Sequence, residues 1–551
     1  MYLKNYSNRN NVPQTEPIPG REEDQAQNHA GGFSFKISLW DRLERFLILG
    51  TEGGSYYVGE REMTKENITV VKDALKEDGA RTLGMIVQIS EEGRAPKNDP
   101  ALFALAMVIA NGTPSIKAEA LKAIPRVART GTHFLHLVTF LKGMRGFGRS
   151  VSRALGNWYL DKGVDKATYQ MLKYQSRDGM SHRDVLRLVH PVTKDPQYQA
   201  LFRYFTSKDR EPRTLIDPKR PTVIRTYGSI PQTDIPALVN VYEQVKTLNP
   251  ENQNDRRCLC SLIGEYRLTH EMVPNDFKGH PEIWEALLQD MPAEATLRNL
   301  GVMTANGVLS PFSGGTKMVL SRLSSEGALL KARLHPLKIL VAKRVYQAGH
   351  GMKGSLSWTP VPQILDVLEE AFYGSFGVIT PTNKNTYLGI DCSGSMWGGA
   401  VCGSSLTPAA AAACMAMVTL RTEQAMAYGF SDTMQRINIT AKSSLAEVER
   451  TMKRVDWGGT DCALPMLHAL KNKWPVESFI IYTDSETWMG SVHPAKALQR
   501  YRQEMGIPAK LVVVGMTATE FSIADPNDAG MLDVVGFDTA TPNVMNDFLR
   551  K

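Results

Sequence analysis

Three oxygen-bearing side chains lie close together at the end of an apolar run. Tyr387–Ile390 is followed by Asp391, Ser393 and Ser395 in an Asp-x-Ser-x-Ser arrangement. A carboxylate and two hydroxyls on one turn are the hard oxygen donors that hold a divalent cation. The motif alone is weak, because Asp and Ser also occupy such turns to bond their own backbone.

Two later segments carry the same kind of donor. Thr460 and Asp461 lie in a loop before a helical pattern, and Asp484 directly follows a run that ends at Thr483. In a parallel sheet, ligands bind beyond the carboxyl ends of the strands, so these groups are expected beside Asp391. Together they predict a site for one divalent cation, with Mg²⁺ preferred and Mn²⁺ as the alternative.

The elements that position these groups follow from the hydrophobic periodicity. Beyond a linker at 380–385, short apolar runs alternate with amphipathic helices, which predicts a doubly wound parallel sheet over 386–551. The predicted strands are Tyr387–Ile390, Ala425–Phe430, Phe479–Tyr482 and Leu511–Val514. The predicted helices are Pro408–Arg421, Leu445–Lys453, Ala463–Leu470 and Pro494–Glu504.

The region 33–379 has a different pattern. Apolar residues recur every three or four positions with almost no strand pattern, which predicts an α-solenoid of stacked helix pairs. The clearest predicted helices are Ala101–Ala110, Ile116–Ala128, Val151–Tyr159, Ile235–Val245, Pro336–Tyr346 and Val361–Phe372. The fold class is therefore α plus α/β.

Residues 1–32 are rich in Asn, Gln, Pro and Glu, which predicts a disordered N-terminal tail rather than a signal peptide. No apolar run is long enough to cross a membrane. The six cysteines form no C-x-x-C pair, as expected for reduced thiols in a cytoplasmic protein. A monomer is expected.

Competing chemistry has little support in the sequence. There is no P-loop and no G-x-S-x-G nucleophile elbow. His270-Glu271 begins like a zinc-peptidase motif but lacks the second histidine. Cys392 and Cys462 adjoin the metal donors, but no histidine can be assigned as their base, so we expect packed thiols rather than nucleophiles.

The net charge of +7 is concentrated in the helical region, because acidic residues slightly outnumber basic ones from Lys384 onward. Basic side chains recur on the predicted helices at Lys117, Lys122, Arg126 and Arg129, at Lys142, Arg145, Arg149 and Arg153, and at Lys173, Arg177, Arg183, Arg187 and His190. Aromatic groups able to stack on unpaired bases lie among them at Trp158, Tyr159, Tyr174 and His182. This pattern indicates either nucleic-acid binding or ordinary solvated helix faces.

Two family resemblances sharpen these alternatives. Asp391, Ser393, Ser395, Thr460 and Asp484 match the metal-ion-dependent adhesion site of von Willebrand factor A domains. Residues 45–58, 93–107, 181–190, 284–309 and 332–351, with 421–432, 458–466, 480–488 and 521–539, resemble the TROVE domain and A domain of the Ro autoantigen family. The first resemblance implies a cation site with one position open for an acidic side chain of a partner protein.

The second resemblance implies a ring of HEAT-like helical repeats closed by the A domain. Such rings bind small non-coding Y RNAs on a basic outer surface and single-stranded 3′ ends of misfolded RNAs in the central hole. Lys173 and His190 match positions tied to Y RNA binding, and Arg149, Arg153 and Arg187 are basic neighbours that we add. An exoribonuclease such as polynucleotide phosphorylase is an implied partner. The alternative is a metal-dependent protein-interaction scaffold without an RNA role.

Overall fold

The structure is a computed structural model that describes residues 11–51, 68–207, 212–216, 223–227, 230–231, 234–351, 355–377, 379–399, 401, 406–452, 454 and 458–551. An N-terminal hairpin comes first, with strands β1 (Gln25–Gln27) and β2 (Phe33–Lys36) paired antiparallel. A long helical region and a C-terminal α/β domain follow it. This arrangement confirms the predicted fold class.

The helical region is a succession of short helices that pack mainly on their neighbours in sequence. The helices are α1 (Leu39–Leu49), α2 (Val70–Glu77), α3 (Gly79–Glu92), α4 (Asp99–Asn111), α5 (Pro114–Val127), α6 (Gly131–Met144), α7 (Arg149–Leu160), α8 (Val164–Lys173), α9 (His182–Val189), α10 (Pro196–Thr206), α11 (Ala237–Val245), α12 (Gln253–Tyr266), α13 (Pro281–Asp290), α14 (Ala293–Ala305), α15 (Gly314–Leu323), α16 (Glu326–Lys331), α17 (Pro336–Ala348) and α18 (Pro362–Gly374). The short strands among them are β3 (Ser176–Arg177), β4 (Met180–Ser181), β5 (Pro212–Ile216), β6 (Val223–Tyr227) and β7 (Ile230–Pro231).

Local sequence sets the ends of several helices. The Ser38 hydroxyl caps α1 in a capping box with Asp41, and Gly50 ends that helix in a left-handed conformation. Ser181 forms the same box at the start of α9, and His190 ends α9 with a φ of 46°. His190 thus lies at a helix terminus, exposed to solvent.

The helical array closes on itself. The buried His335 ring donates from Nε2 to the carbonyl oxygen of Arg94 at 3.1 Å, which joins the start of α17 to the loop after α3. Beside it, a Cβ added to Gly93 would lie 3.2 Å from the Cβ of Arg333. These contacts connect the beginning of the array to its end.

The C-terminal domain contains a six-stranded sheet in the order β10-β9-β8-β11-β12-β14, parallel except for β10. Its strands are β8 (Thr386–Asp391), β9 (Ala425–Phe430), β10 (Met434–Gln435), β11 (Ser478–Thr483), β12 (Lys510–Gly515) and β14 (Met531–Val535), and β13 (Phe521–Ser522) lies outside this sheet. Its helices are α19 (Pro408–Thr422), α20 (Leu445–Met452), α21 (Leu464–Lys471), α22 (Pro494–Met505) and α23 (Thr541–Arg550). The four predicted strands are confirmed, whereas β10, β13 and β14 were not predicted.

The prediction of a disordered tail over 1–32 is wrong for residues 11–32. Strand β2 pairs with β13, so the N-terminal hairpin completes a three-stranded sheet with the C-terminal domain. Gln14 is fully buried, and Arg21 forms a bidentate ion pair with Asp525. Hydrogen bonds and ion pairs hold this polar segment in place, together with the buried side chain of Ile18.

Candidate functional site

The predicted metal donors lie where two parallel strands end side by side. Ile390 of β8 is paired with Tyr482 of β11, so the next residue of each strand lies at the carboxyl edge of the sheet. There the Thr483 hydroxyl donates to Asp391 Oδ2 at 2.5 Å. The backbone N–H of Ser393 donates to Asp391 Oδ1 at 2.9 Å, which folds the loop around the carboxylate.

Hydrogen bonds join the three loops that carry the donors. The N–H of Gly394 donates to the carbonyl of Gly458 at 3.3 Å, and the carbonyl of Thr460 accepts from the N–H groups of Trp488 and Met489 at 2.9 and 3.0 Å. The hydroxyls of Ser393 and Ser395 are 3.2 Å apart, and Ser395 also hydrogen-bonds Asp484. These contacts bring Asp391, Ser393, Ser395 and Asp484 together, and they bring the loop of Thr460 to the same edge through its backbone.

The electrostatics of this edge favour either a positive partner or protonation of a carboxylate. Asp391 and Asp484 expose at most 1% of their surface. Burial and the charge of Asp484 raise the pKa of Asp391 to about 7, and burial raises the pKa of Asp484. Oδ2 of Asp484 is buried without a hydrogen-bond partner in the described structure. Two adjacent buried carboxylates are costly unless a cation compensates them.

The donor set fits a hard divalent cation. Two carboxylates and three hydroxyls offer only oxygen, and the orphaned Asp484 oxygen is a free ligand atom. Across the residues that the structure describes, no group of three or more His, Cys, Asp or Glu side chains is placed to hold a metal. Hydroxyls would therefore supply much of the coordination, as the resemblance implies.

Both cysteines beside this edge are packed thiols. Cys392 and Cys462 are fully buried, and burial raises the pKa of each thiol above its ordinary value. A thiolate nucleophile needs a lowered pKa, so the geometry agrees with the expectation of a packing role.

The polar residues that surround this edge were missed by sequence reasoning. His29 bonds the buried Glu486 at 2.8 Å through Nδ1. Gln14 Nε2 donates to Asp461 Oδ1 at 2.7 Å. Both come from the N-terminal segment, more than 440 residues away in sequence, and no local pattern marks them.

A second candidate site lies on helices α7 and α9. Arg149, Arg153 and Gly156 recur at helical spacing on one face of α7. A Cβ at Gly156 would lie 3.3 Å from Pro191, the residue after His190, so this face meets the end of α9. We call the exposed basic residues here the α7–α9 patch, which comprises Arg149, Arg153, Arg187 and His190.

The charges of the α7–α9 patch are not neutralised within the described structure. None of its four residues forms an ion pair with a described residue, and Arg187 donates only to the carbonyl of Thr206 at 3.3 Å. Lys173 lies elsewhere. It is near the start of α9, where the N–H of His182 donates to the carbonyl of Gln175. Helix α9 is about 12 Å long, so its other end, which bears His190, is about that far from this point.

Lys173 has an aromatic neighbourhood of its own. Its Nζ lies 5.2 Å from the centre of the Tyr174 ring and 5.7 Å from that of Tyr169. Arg177 lies 5.9 Å from the centre of the Tyr174 ring. Tyr174 is half-buried, so among the four predicted stacking groups it alone keeps solvent-exposed area that a base could contact.

Other predicted RNA-facing groups serve the fold instead. Trp158, Tyr159 and His182 are buried, and Tyr159 bonds His182 at 2.9 Å through its hydroxyl. The expectation that they stack on bases is wrong, because they pack in the core of α6, α7 and α9. Lys122 and Arg126 are paired with Glu119 and Glu91, as expected for solvated helix faces.

Comparison with known proteins identifies the class. The TROVE domain matches residues 26–384 and the Ro60 vWA domain matches residues 385–549, so the protein is a helical TROVE array joined to a von Willebrand factor A domain. The two matches meet within the predicted linker. The chain belongs to the Ro60 family.

Relatives support this membership along the whole chain. It is 41% identical over 545 residues to the RNA-binding protein RO60 of Deinococcus radiodurans, covering 98% of this chain and 97% of the relative. It is 33% identical over 589 residues to the RNA-binding protein RO60 of Caenorhabditis elegans, covering 96% and 90%. The crystal structure of the Deinococcus radiodurans RO (RSR) protein superposes with a TM-score of 0.67 and 38% identity, covering 93% of this chain and 99% of that one. In the part of the chain that the structure describes, no helix is long and apolar enough to cross a membrane.

Proposed function

We propose that this protein is a non-catalytic RNA-binding protein that uses its helical ring to hold structured non-coding RNA. The observation that carries the proposal is the α7–α9 patch, which presents four exposed basic side chains without ion-pair partners among the described residues. Relatives in two organisms bear the name RNA-binding protein. Unneutralised Arg and Lys on one face are the usual contacts for RNA phosphates.

The proposal has two RNA surfaces. Y RNA binds the outer surface through the α7–α9 patch, with Lys173 contributing from the other end of α9. Single-stranded 3′ ends of misfolded RNAs enter the centre of the ring, where selection depends on a free end and on base stacking rather than on sequence. Such a protein serves RNA quality control or delivers RNA to an exoribonuclease such as polynucleotide phosphorylase.

The A domain holds one divalent cation, preferably Mg²⁺, through Asp391, Ser393, Ser395, Thr460 and Asp484. When bound, the cation supplies a positive charge that captures an acidic side chain of a partner protein. Asp391 and Asp484 neutralise that cation, and the three hydroxyls complete its coordination without building a hydrolytic centre.

A salt-titrated binding assay with Y RNA tests the RNA proposal. Arg153→Gln should weaken binding about five- to tenfold and lower the salt dependence, because it removes a charged phosphate contact. His190→Ser should also weaken binding, because it removes a side chain that can hydrogen-bond the RNA. Arg298→Gln is the matched control, since that exposed arginine is already paired with Glu294. Equal losses in Arg153→Gln and Arg298→Gln would mean that only overall charge matters.

Two further outcomes separate the alternatives. Wild-type protein that binds no Y RNA and no 3′-tailed RNA at moderate salt leaves the protein-interaction scaffold as the better account. RNA that is cleaved in Mg²⁺ by wild-type protein but not by Asp391→Ala would contradict the non-catalytic proposal.

A further inference from the structure

Two arginines distant in sequence converge on one end of α3, at the place where the helical array closes. Arg129, just after α5, donates from Nη1 to the Ser90 hydroxyl at 2.7 Å and to the Arg126 carbonyl at 3.2 Å. Arg333, just before α17, packs its side-chain stem on Gly93. Ser90 and Gly93 are one helical turn apart. We call Ser90, Arg129 and Arg333 the seam cluster.

In the described structure no carboxylate forms an ion pair with the seam cluster, although the charge of Glu91 acts on both Arg129 and Arg333. Both oxygens of Glu91, the nearest acid, accept from Arg126 at 2.7 Å. The acids that hold Arg94 are Glu44 and Asp538, so they are occupied as well. Neither Arg129 nor Arg333 forms an ion pair with a described residue. The charge of Arg333 contributes, after burial, to lowering the pKa of Arg129.

The guanidinium of Arg129 is oriented rather than free. The Ser90 hydroxyl accepts from it and donates in turn to Asn98 Oδ1 at 2.7 Å, so one edge of the guanidinium is fixed. Its Nε and Nη2 groups make no hydrogen bond within the described structure. The side chain of Arg333 is exposed and that of Arg129 is half-buried, so a ligand can reach both groups.

A tetrahedral anion suits this arrangement. Guanidinium groups bind phosphate through two parallel N–H donors, and two such groups can hold one phosphate from different sides. The charge of Arg129 also acts on His133 of α6. His133 itself is neutral near pH 7, because burial lowers its pKa to about 4.

We infer that the seam cluster binds a phosphodiester of single-stranded RNA and, by doing so, bridges the beginning and the end of the helical ring. This inference rests on the proposed RNA-binding function and adds a backbone contact outside the α7–α9 patch. The ligand is a phosphate on a strand rather than on a duplex, because Arg129 is half-buried and held against Ser90, and a flexible strand can bring a phosphate to it where a rigid duplex cannot.

The test compares two RNAs of the same duplex sequence, one blunt and one with a ten-nucleotide 3′ tail. Arg129→Gln and Arg333→Gln should each weaken binding of the tailed RNA by roughly tenfold, the effect of losing one charge-assisted contact. Each should also lower the slope of log K against log salt by about 0.7. Binding of the blunt duplex should change less than about twofold in either variant.

Arg126→Gln is the matched control, because this arginine lies at the same helix end but is paired with Glu91. A tail with uncharged methylphosphonate linkages provides a chemical control. It should bind wild-type protein more weakly than the natural tail does. It should not further reduce the affinity of a variant that carries both Arg129→Gln and Arg333→Gln. Circular dichroism and thermal unfolding establish that the variants remain folded.

The outcomes distinguish this inference from the proposed function. If wild-type protein binds the tailed RNA and both variants bind it equally well, the seam cluster is not a phosphate site, whereas RNA binding stands. Equal losses for Arg126→Gln or for the blunt duplex would also overturn the inference. The inference would also be overturned if binding of inorganic phosphate required both arginines but binding of the tailed RNA did not. If wild-type protein binds neither RNA, the proposed function fails and the inference fails with it.

Discussion

The buried carboxylates of Asp391 and Asp484 should affect the stability of the protein in opposite directions with and without a bound metal ion. In the absence of a cation the two groups repel each other in a site that exposes at most 1% of either residue. With a cation bound, both become favourable ligands. The same side chain therefore destabilises the metal-free protein and stabilises the metal-bound one.

Asp484→Asn tests this reversal. In EDTA the variant should unfold at the same or a higher temperature than wild type, because one buried charge is gone. At a Mg²⁺ concentration about 100 times the dissociation constant, wild type should gain about 2.7 kcal/mol and the variant almost nothing. Thermal unfolding in EDTA and in MgCl₂ measures both, with Asp547→Asn on the exposed face of α23 as control. Equal Mg²⁺ responses in wild type and Asp484→Asn would contradict the assigned ligand.

At the scale of elements, the N-terminal segment is an integral part of the A domain. Gln14 is held on every side: Nε2 donates to Asp461 and to the Val492 carbonyl, and Oε1 accepts from the Thr487 hydroxyl. The backbone N–H of Gln14 donates to the Gly490 carbonyl at 2.9 Å. This one residue thereby links the loops that follow β11 to the loop that carries Thr460.

Gln14→Ala should lower the free energy of unfolding by about 2 kcal/mol, because it leaves buried polar partners unsatisfied. Urea unfolding followed by tryptophan fluorescence measures the change. Gln27→Ala is the matched control, since Gln27 lies on the same segment but is exposed and bonds only Gly31. If both variants lose the same stability, Gln14 does not have the anchoring role.

Comparison of helix α5 with the N-terminal segment shows which elements can be predicted from the sequence. Helix α5 was predicted within two residues at its start because its apolar spacing is a local signal. The proposed donors Asp391 and Asp484 were expected side by side because each lies at the end of a strand that is recognisable by itself. Residues 11–32 lack any periodic apolar face, and their partners lie more than 440 residues away. Long-range polar contacts leave no local pattern, so order there was not predicted.

For the whole molecule, the A domain contacts both ends of the helical array. Arg45 of α1 pairs with Asp533 at 2.6 Å, and Arg94 pairs with Asp538. At the other end, Glu369 of α18 accepts from the N–H of Leu445 at 3.1 Å. With His335 bonded to Arg94, the array and the A domain form one closed structure, whose stability depends on these junctions.

The junction at His335 predicts loss of stability in acid. The ring is buried and neutral: Nδ1 accepts from the N–H of Leu337, and burial lowers the pKa of His335 to about 3. The unfolded chain takes up this proton as the pH falls below about 6.5, whereas the folded protein does not until about pH 3. The unfolding free energy should therefore fall between these values, by about 2 kcal/mol from pH 7.5 to pH 5 for this histidine.

His335→Gln isolates the contribution, because an amide can donate to Arg94 but does not titrate. The variant is expected to be less stable than wild type at pH 7.5 and to lose about 2 kcal/mol less on acidification to pH 5, as measured by urea unfolding at both pH values. The buried His182 titrates in the same direction, so some acid sensitivity must remain in His335→Gln. Identical pH dependence in wild type and His335→Gln would show that the closure of the ring does not hold this histidine in its neutral form.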